Sequence, residues 1–246
     1  MKWTLGVLLA AGVATGQAQS VSFVSCPVVR DTKSTPCWLA GYKGELYFLG
    51  IQGGVAQDFY PPQLNHEVLV EGTVATGPRV CGGIPLQPVK TSVILEINRV
   101  CNTILPVEDG IEPPGRGAGG GPAANSWTRS SGPGDATIFS DFDNDFLSLH
   151  STRAVQRIAE NFQQTKGKEL HVTAYRGASK LSDGTVMVEK PDTAKERAGK
   201  LNEILKGLGV PAAAIKVRVV DEAPSPDGSS DPWSRKVTLT VKQAGE

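Results

Sequence analysis

The chain has 246 residues, 39% of them hydrophobic, and its 25 Lys and Arg balance its 25 Asp and Glu to a formal net charge of zero. That balance excludes a general nucleic-acid binder, which concentrates a basic excess on one face, and removes long-range attraction to an anionic surface. The length suits an export signal followed by two domains of roughly 100 residues each.

Lys2, the apolar run from Leu5 to Ala14 and the small residues Gly16-Gln17-Ala18 read as a secretory signal peptide over residues 1–18, cut after Ala18. The run is shorter than the ~18 apolar residues that a membrane span requires. No later stretch is long and apolar enough to span, so no transmembrane segment is expected. Phe23-Val24-Ser25-Cys26 imitates a lipidation box, but polar Gln17, Gln19 and Ser20 separate it from the apolar run that the box should follow directly.

Cys26, Cys37, Cys81 and Cys101 all follow the signal and precede Pro106. An even count in an exported chain predicts two disulfides, and three pairings are open. Cys26 with Cys37 and Cys81 with Cys101 is the favoured pairing, because each closes a short local loop. No Cys-x-x-Cys spacing occurs and His66 has no histidine near it, so no metal site is expected.

Residues 20–105 are expected to form a small disulfide-bonded β domain. Strands are predicted at Glu45–Leu49, Glu67–Ala75, Arg79–Leu86 and Thr91–Asn98. Gly72 inside the second suggests a bulge or bend, and Pro85 and Pro88 point to edges or turns. Short strands and no clear helical period suggest an OB-like barrel or a short sandwich. Its aromatic residues, including Trp38, Tyr42, Tyr47, Phe48, Phe59 and Tyr60, are assigned mainly to the core.

Residues 106–135 are dense in Gly, Pro and Ser and read as a flexible linker. Trp127 within it is expected to be an exposed ring. Residues 136–246 then alternate strand and helix. Thr137-Ile138-Phe139 is extended, and Val155, Ile158, Ala159 and Phe162 mark one helix face. Leu170, Val172 and Ala174 alternate along a strand, with His171 pointing outward. Thr193 with Glu196 fits a capping box ahead of the stripe Ala194, Ala198, Leu201, Leu205 and Leu208. Ile215–Val220 and Lys236–Val241 complete a βαβαββ order, with both helices on one face of the sheet. The expected fold class is therefore α+β in two domains.

Four blocks of this second half carry a resemblance: Asp141-Phe142-Asp143, Leu170-His171-Val172-Thr173-Ala174-Tyr175, Thr193-Ala194-Lys195-Glu196-Arg197-Ala198 and Ser234-Arg235-Lys236-Val237. In that order, across about residues 136–242, they resemble the OmpA-like C-terminal domain family, whose members hold peptidoglycan in the periplasm. The resemblance implies an OmpA-like α/β sandwich in the Gram-negative cell envelope, with the diaminopimelate stem peptide of peptidoglycan as ligand. In the family an arginine takes the ligand's carboxylate through paired hydrogen bonds and an aspartate takes its ammonium.

Arg197 stands at the arginine position and Gly177 at the aspartate position. Lys190 and Thr193 replace an expected asparagine and leucine. Arg197, Asp183 as a substitute acid, Thr193 and Tyr175 are thus the candidate ligand-binding residues, and Arg235 is expected to be structural. The resemblance supports non-covalent peptidoglycan binding, with the β domain offering a site for an envelope protein partner. The alternative is an interaction scaffold that kept the fold and lost the ligand. No cofactor is expected. No Ser/His/Asp set or phosphate-cradling loop is legible, and Asp141, Asp143 and Asp145 lack the glycine and closing glutamate of a calcium loop, so catalysis is not expected.

Overall fold

The structure is a computed structural model that describes residues 19–51, 59–113 and 127–243. The expected signal peptide and the centre of the expected linker lie outside the described residues. No described helix is long and apolar enough to cross a membrane.

The first half is all β. Strands β1 (Ser20–Ser25), β2 (Pro27–Arg30), β3 (Cys37–Tyr42), β4 (Glu45–Ile51), β5 (His66–Val74), β6 (Ile84–Ile97) and β7 (Thr103–Leu105) form one sheet in the order β1-β5-β6-β4-β3-β2-β7. Among the described residues no pairing joins β7 back to β1, so the expected OB-like closed barrel is replaced by an open sheet. Its core gathers Val21, Phe23, Trp38, Ala40, Leu49, Val68, Val70, Leu86 and Val89, with Tyr42, Tyr47 and Phe59 packed against it and Phe48 against the neighbouring Cys37–Leu39–Cys81 cluster, as expected of the aromatic group.

The strands expected at 79–86 and 91–98 are one long strand, β6, preceded by a tight Val80–Gly83 bridge. Pro85 and Pro88 lie inside this interior strand. They are tolerated because β6 pairs with β4 only at Ile84 and Pro85, and because the register with β5 slips between Gly72 and Val74, opposite the Leu86–Val89 stretch. Gly72 is required at that slip, since a Cβ there would stand 2.9 Å from the Pro88 carbonyl oxygen.

The disulfides are Cys26–Cys101 and Cys37–Cys81, which corrects the expected local pairing. The reason is strand geometry. β2 and β3 form an antiparallel hairpin in which Arg30 opposes Cys37 and Pro27 opposes Ala40. Cys26 and Cys37 therefore sit at opposite ends of the hairpin, out of reach of each other.

The second half places β8 (Thr128–Gly132), β9 (Asp135–Phe139), β10 (Glu169–Tyr175), β13 (Ile215–Val220) and β14 (Lys236–Lys242) in the order β13-β10-β14-β9-β8. Helices α1 (Leu149–Gln164) and α2 (Thr193–Gly207) share a core with one face of this sheet. Ala154, Val155, Ile158, Ala159 and Phe162 of α1 and Ala194, Ala198, Leu201 and Leu205 of α2 meet Ile138, Leu170, Val172, Ala174, Val237 and Leu239. Parallel pairing of β10 with β13 and antiparallel pairing with β14 make β10 an interior strand.

In this half a hairpin and an edge strand were not expected. A hairpin, β11 (Ala178–Lys180) and β12 (Val186–Val188), fills the loop before α2. Strand β8 falls inside the stretch read as linker, and Trp127 just before it is 9% exposed, stacked 4.4 Å from the Trp233 ring and edge-on to Phe139. The ring is thus docked, which corrects its reading as an exposed side chain.

Polar contacts join the two halves. Arg235 of the last-strand block and Glu71 of β5 form a buried ion pair, and the Ser179 hydroxyl accepts from Arg235 (2.7 Å) while donating to Glu71 (2.7 Å). Lys90 pairs with Asp141 at 2.5 Å, the Phe142 amide donates to Ser92 Oγ at 2.9 Å, and the Leu149 amide donates to the Tyr60 hydroxyl at 3.1 Å. Arg235 is structural, as expected: burial opposes its charge, yet the neighbouring Glu71 carboxylate outweighs this and its pKa is raised.

Candidate functional site

Helix α2 places Arg197 on its buried stripe, one turn after Ala194 and beside Ala198, so its side chain enters the space between α2, the end of β10 and the Asp141–Asn144 turn. Arg197 is 2% exposed. All five guanidinium donor directions are used. Nε donates to the Asn144 carbonyl (2.8 Å), Nη1 to the Tyr175 carbonyl (3.2 Å) and to Glu189 Oε2 (2.9 Å), and Nη2 to the Asp141 carbonyl (2.7 Å) and Glu189 Oε1.

Glu189 follows β12 and is fully buried. Besides the two-pronged bond from Arg197, its carboxylate accepts the Gly177 amide at 2.7 Å and the Asp143 amide at 3.0 Å. A buried ion pair is expensive to desolvate, and excellent geometry with additional hydrogen bonds is what offsets that cost. Both conditions hold here. The arrangement is a carboxylate receptor whose occupant is part of the chain.

Gly177, at the position where the resemblance implies an aspartate, has a steric reason. A Cβ built on it would lie 2.2 Å from Arg235 Cγ, and its amide is one of the Glu189 donors. The cross-half Glu71–Arg235 pair and the missing acid are therefore linked: Arg235 occupies the space that a side chain at 177 needs.

The other candidates divide. Tyr175 contributes its backbone carbonyl to Arg197, while its ring lies under the Lys236 ammonium at 5.3 Å. Thr193 is buried and is the first residue of α2. Its hydroxyl donates to Asp143 Oδ1 at 3.2 Å, and the position before it, Asp192, has a left-handed backbone and no side-chain cap bond. The expected capping box is therefore not formed, because the Thr193 hydroxyl is drawn to the Asp143 turn. Asp143 Oδ1 also accepts the Lys190 amide at 2.6 Å.

Asp183 is exposed in the β11–β12 turn, where its Oδ1 accepts the Thr185 amide at 2.9 Å, and no described contact joins it to Arg197. That Thr185 bonding, amide first and hydroxyl second, holds the Asp183 carboxyl below its ordinary pKa. His171 pairs with Glu169 at 2.8 Å on the outer sheet face. Among the described residues there is no group of three or more His, Cys, Asp and Glu arranged to hold a metal.

Glu189 was missed in the sequence because one Glu beside Lys190 and Pro191 in a polar loop looks like a solvated charge. The available signal was indirect: an arginine kept without its acid must find another anion if it is buried.

No family model matches the chain, and no curated protein matches it. Among solved structures it is similar to the OmpA-like domain of FopA1 from Francisella tularensis, at 15% identity over 48% of this chain and 82% of that one, with a TM-score of 0.33. It is also similar to the periplasmic domain of Helicobacter pylori MotB, at 14% identity over 48% and 82% with a TM-score of 0.34. The cell wall anchor of the type VI secretion system from Pseudomonas aeruginosa matches at 18% identity over 44% and 80%, with a TM-score of 0.34. These likenesses, to OmpA-like and MotB-type domains, cover about half of this chain.

Proposed function

We propose that the chain is an exported cell-envelope protein that works as a non-catalytic interaction scaffold, in which an internal carboxylate has taken the place of an external ligand at Arg197. The observation that carries this reading is the saturation of Arg197 by Glu189 and three backbone carbonyls in a closed site. Two disulfides with no free cysteine support an oxidising compartment, and the signal-like first residues support export. The buried polar contacts between the halves support a single presenting surface rather than two tethered beads.

The second reading is non-covalent binding of the diaminopimelate stem peptide of peptidoglycan. It is favoured by the chemistry of the cradle, a guanidinium with two backbone amides, which is a donor set that any carboxylate can use. In this reading Glu189 swings out and the ligand enters.

Co-sedimentation of the mature protein with purified diaminopimelate-type peptidoglycan separates the two. The scaffold reading expects no pelleting that depends on the cradle, so wild type, Arg197→Lys and Glu189→Gln behave alike. Pelleting of wild type that Arg197→Lys abolishes and Glu189→Gln strengthens would establish the second reading instead.

A further inference from the structure

A strand at the rim of a sheet leaves backbone N–H and C=O groups open to another chain, and proteins blunt such edges. Most edges here are blunted. β1 is met by the second half, where the Ser22 amide donates to Ser182 Oγ at 2.9 Å and the Ser182 amide donates to the Ser22 carbonyl at 2.7 Å. β7 and β12 have three residues each. β8 is polar, and its register with β9 slips between Arg129 and Gly132. β13 is different. Its six residues run in unbroken parallel register with β10, and among the described residues nothing pairs with its other side.

The two faces of β13 also differ. Val217 and Val219 stand in register with Val172 and Ala174, which are fully buried under the helices, yet they are 47% and 40% exposed. They are core positions without a cover. Lys216 and Arg218 lie on the opposite, helix-free face, in register with His171 and Thr173. Lys216 is shared with Glu169 at 3.8 Å, and Glu169 also holds His171 at 2.8 Å. Arg218 has no hydrogen bond or ion pair among the described residues. The acids Asp221 and Glu222 follow the end of the strand rather than flank it.

These cations decide what can add to the edge. A second copy paired antiparallel about Val217 sets Lys216 opposite Arg218, and one paired about Arg218 sets two arginines together. Like charges directly opposite are destabilising. Pairing about Val219 leaves only three residues of each strand in the ladder. We propose that β13 takes an extended segment of a partner protein in which acidic and apolar residues alternate, added to the sheet as a further strand. Its acids lie beside Arg218 and Lys216 on the outer face, and its apolar side chains cover Val217 and Val219 on the helix face. This rests on the scaffold reading and names the kind of partner presented to. β13 shares no residue with the Arg197 cradle, so its test and the peptidoglycan test succeed or fail separately.

The experiment is a fluorescence-anisotropy titration of the full mature chain with a labelled, end-capped peptide of alternating Glu and Val. Beside it run the same peptide methylated on its backbone nitrogens and a peptide with Lys in place of Glu. The expected result is saturable binding of the Glu/Val peptide, and at least about tenfold weaker binding of the other two. Arg218→Glu is expected to reverse the preference between the Glu and Lys peptides. Its side chain is exposed, so the variant keeps the wild-type melting temperature. Equal binding of the plain and methylated peptides, no binding at millimolar concentration, or an unchanged preference in Arg218→Glu would each overturn the proposal. So would a wild-type chain that sediments as a dimer and that Val217→Lys dissociates, since a second copy would then hold the edge.

Discussion

Glu189 and Arg197 are eight residues apart in sequence, and the carboxylate of one is held by both terminal nitrogens of the other inside a closed site. The pair anchors the start of α2 to the loop that precedes it and ties both to the end of β10 through the Tyr175 carbonyl and the Gly177 amide. An arginine in this state is a structural element, and its availability to an outside ligand depends on moving Glu189.

Breaking the pair from one side should be severe. Glu189→Met or Arg197→Met leaves a buried charge without its counter-charge, and each is expected to cost about 3–5 kcal/mol. Replacing both residues by methionine should cost much less than the sum of the single changes, since the desolvation penalty disappears with both charges. Urea denaturation of the four proteins measures the cycle. Additive single and double effects would show that the two groups are not coupled.

Gly177→Ala should destabilise the protein by about 1–3 kcal/mol through overpacking against Arg235. Gly177→Asp should be worse and should not create ligand binding, because the new side chain meets Arg235 before it meets solvent. The check is thermal melting together with peptidoglycan co-sedimentation; a Gly177→Asp protein that melts like wild type would refute the steric account.

Much of the second half was legible in the sequence because its signals are local. The stripe of α2 and the alternation of β10 come from side-chain period alone, and both are found where expected. What was not legible depends on partners far away in the chain. Cys26 bonds Cys101 across a separation of 75 residues, Glu71 meets Arg235 across 164, and Trp127 is buried by Trp233. The Arg197 block was recognisable by type and spacing, but its role was fixed by Glu189, whose neighbours Lys190 and Pro191 give no hint of burial. The β11–β12 hairpin was missed because its strands are three residues each, too short for a clear alternation.

Removing Cys26–Cys101 by a double change to serine should lower stability by about 2–5 kcal/mol, because the bridge closes a long loop of the unfolded chain. Non-reducing peptide mapping with urea denaturation tests both connectivity and cost. Recovery of a Cys26–Cys37 fragment would contradict the register of the β2–β3 hairpin.

The Asp227 loop should carry an acid-sensitive contribution. Hydrogen bonds from Ser230, hydroxyl and amide, and from the Ser229 amide hold its carboxyl far below its ordinary value. A depressed folded pKa means a contribution fully present above the unfolded carboxylate value of about 3.9 and lost as pH falls through the folded value. The effect is small because the loop is solvent-exposed. Urea midpoints of wild type and Asp227→Asn should differ at neutral pH and draw together progressively as pH falls below about 4; a gap that widens in acid would contradict the assignment.

The most direct test of the central claim is the NMR signal of the Arg197 Nε–H as a diaminopimelate-containing muropeptide is added to the mature protein. With Glu189 closing the site, the resonance is expected to be protected from solvent exchange and to stay in place through the titration in wild type. A signal that exchanges rapidly, or that shifts saturably with the muropeptide, would show that Glu189 gives way to the ligand and that Arg197 is a binding residue.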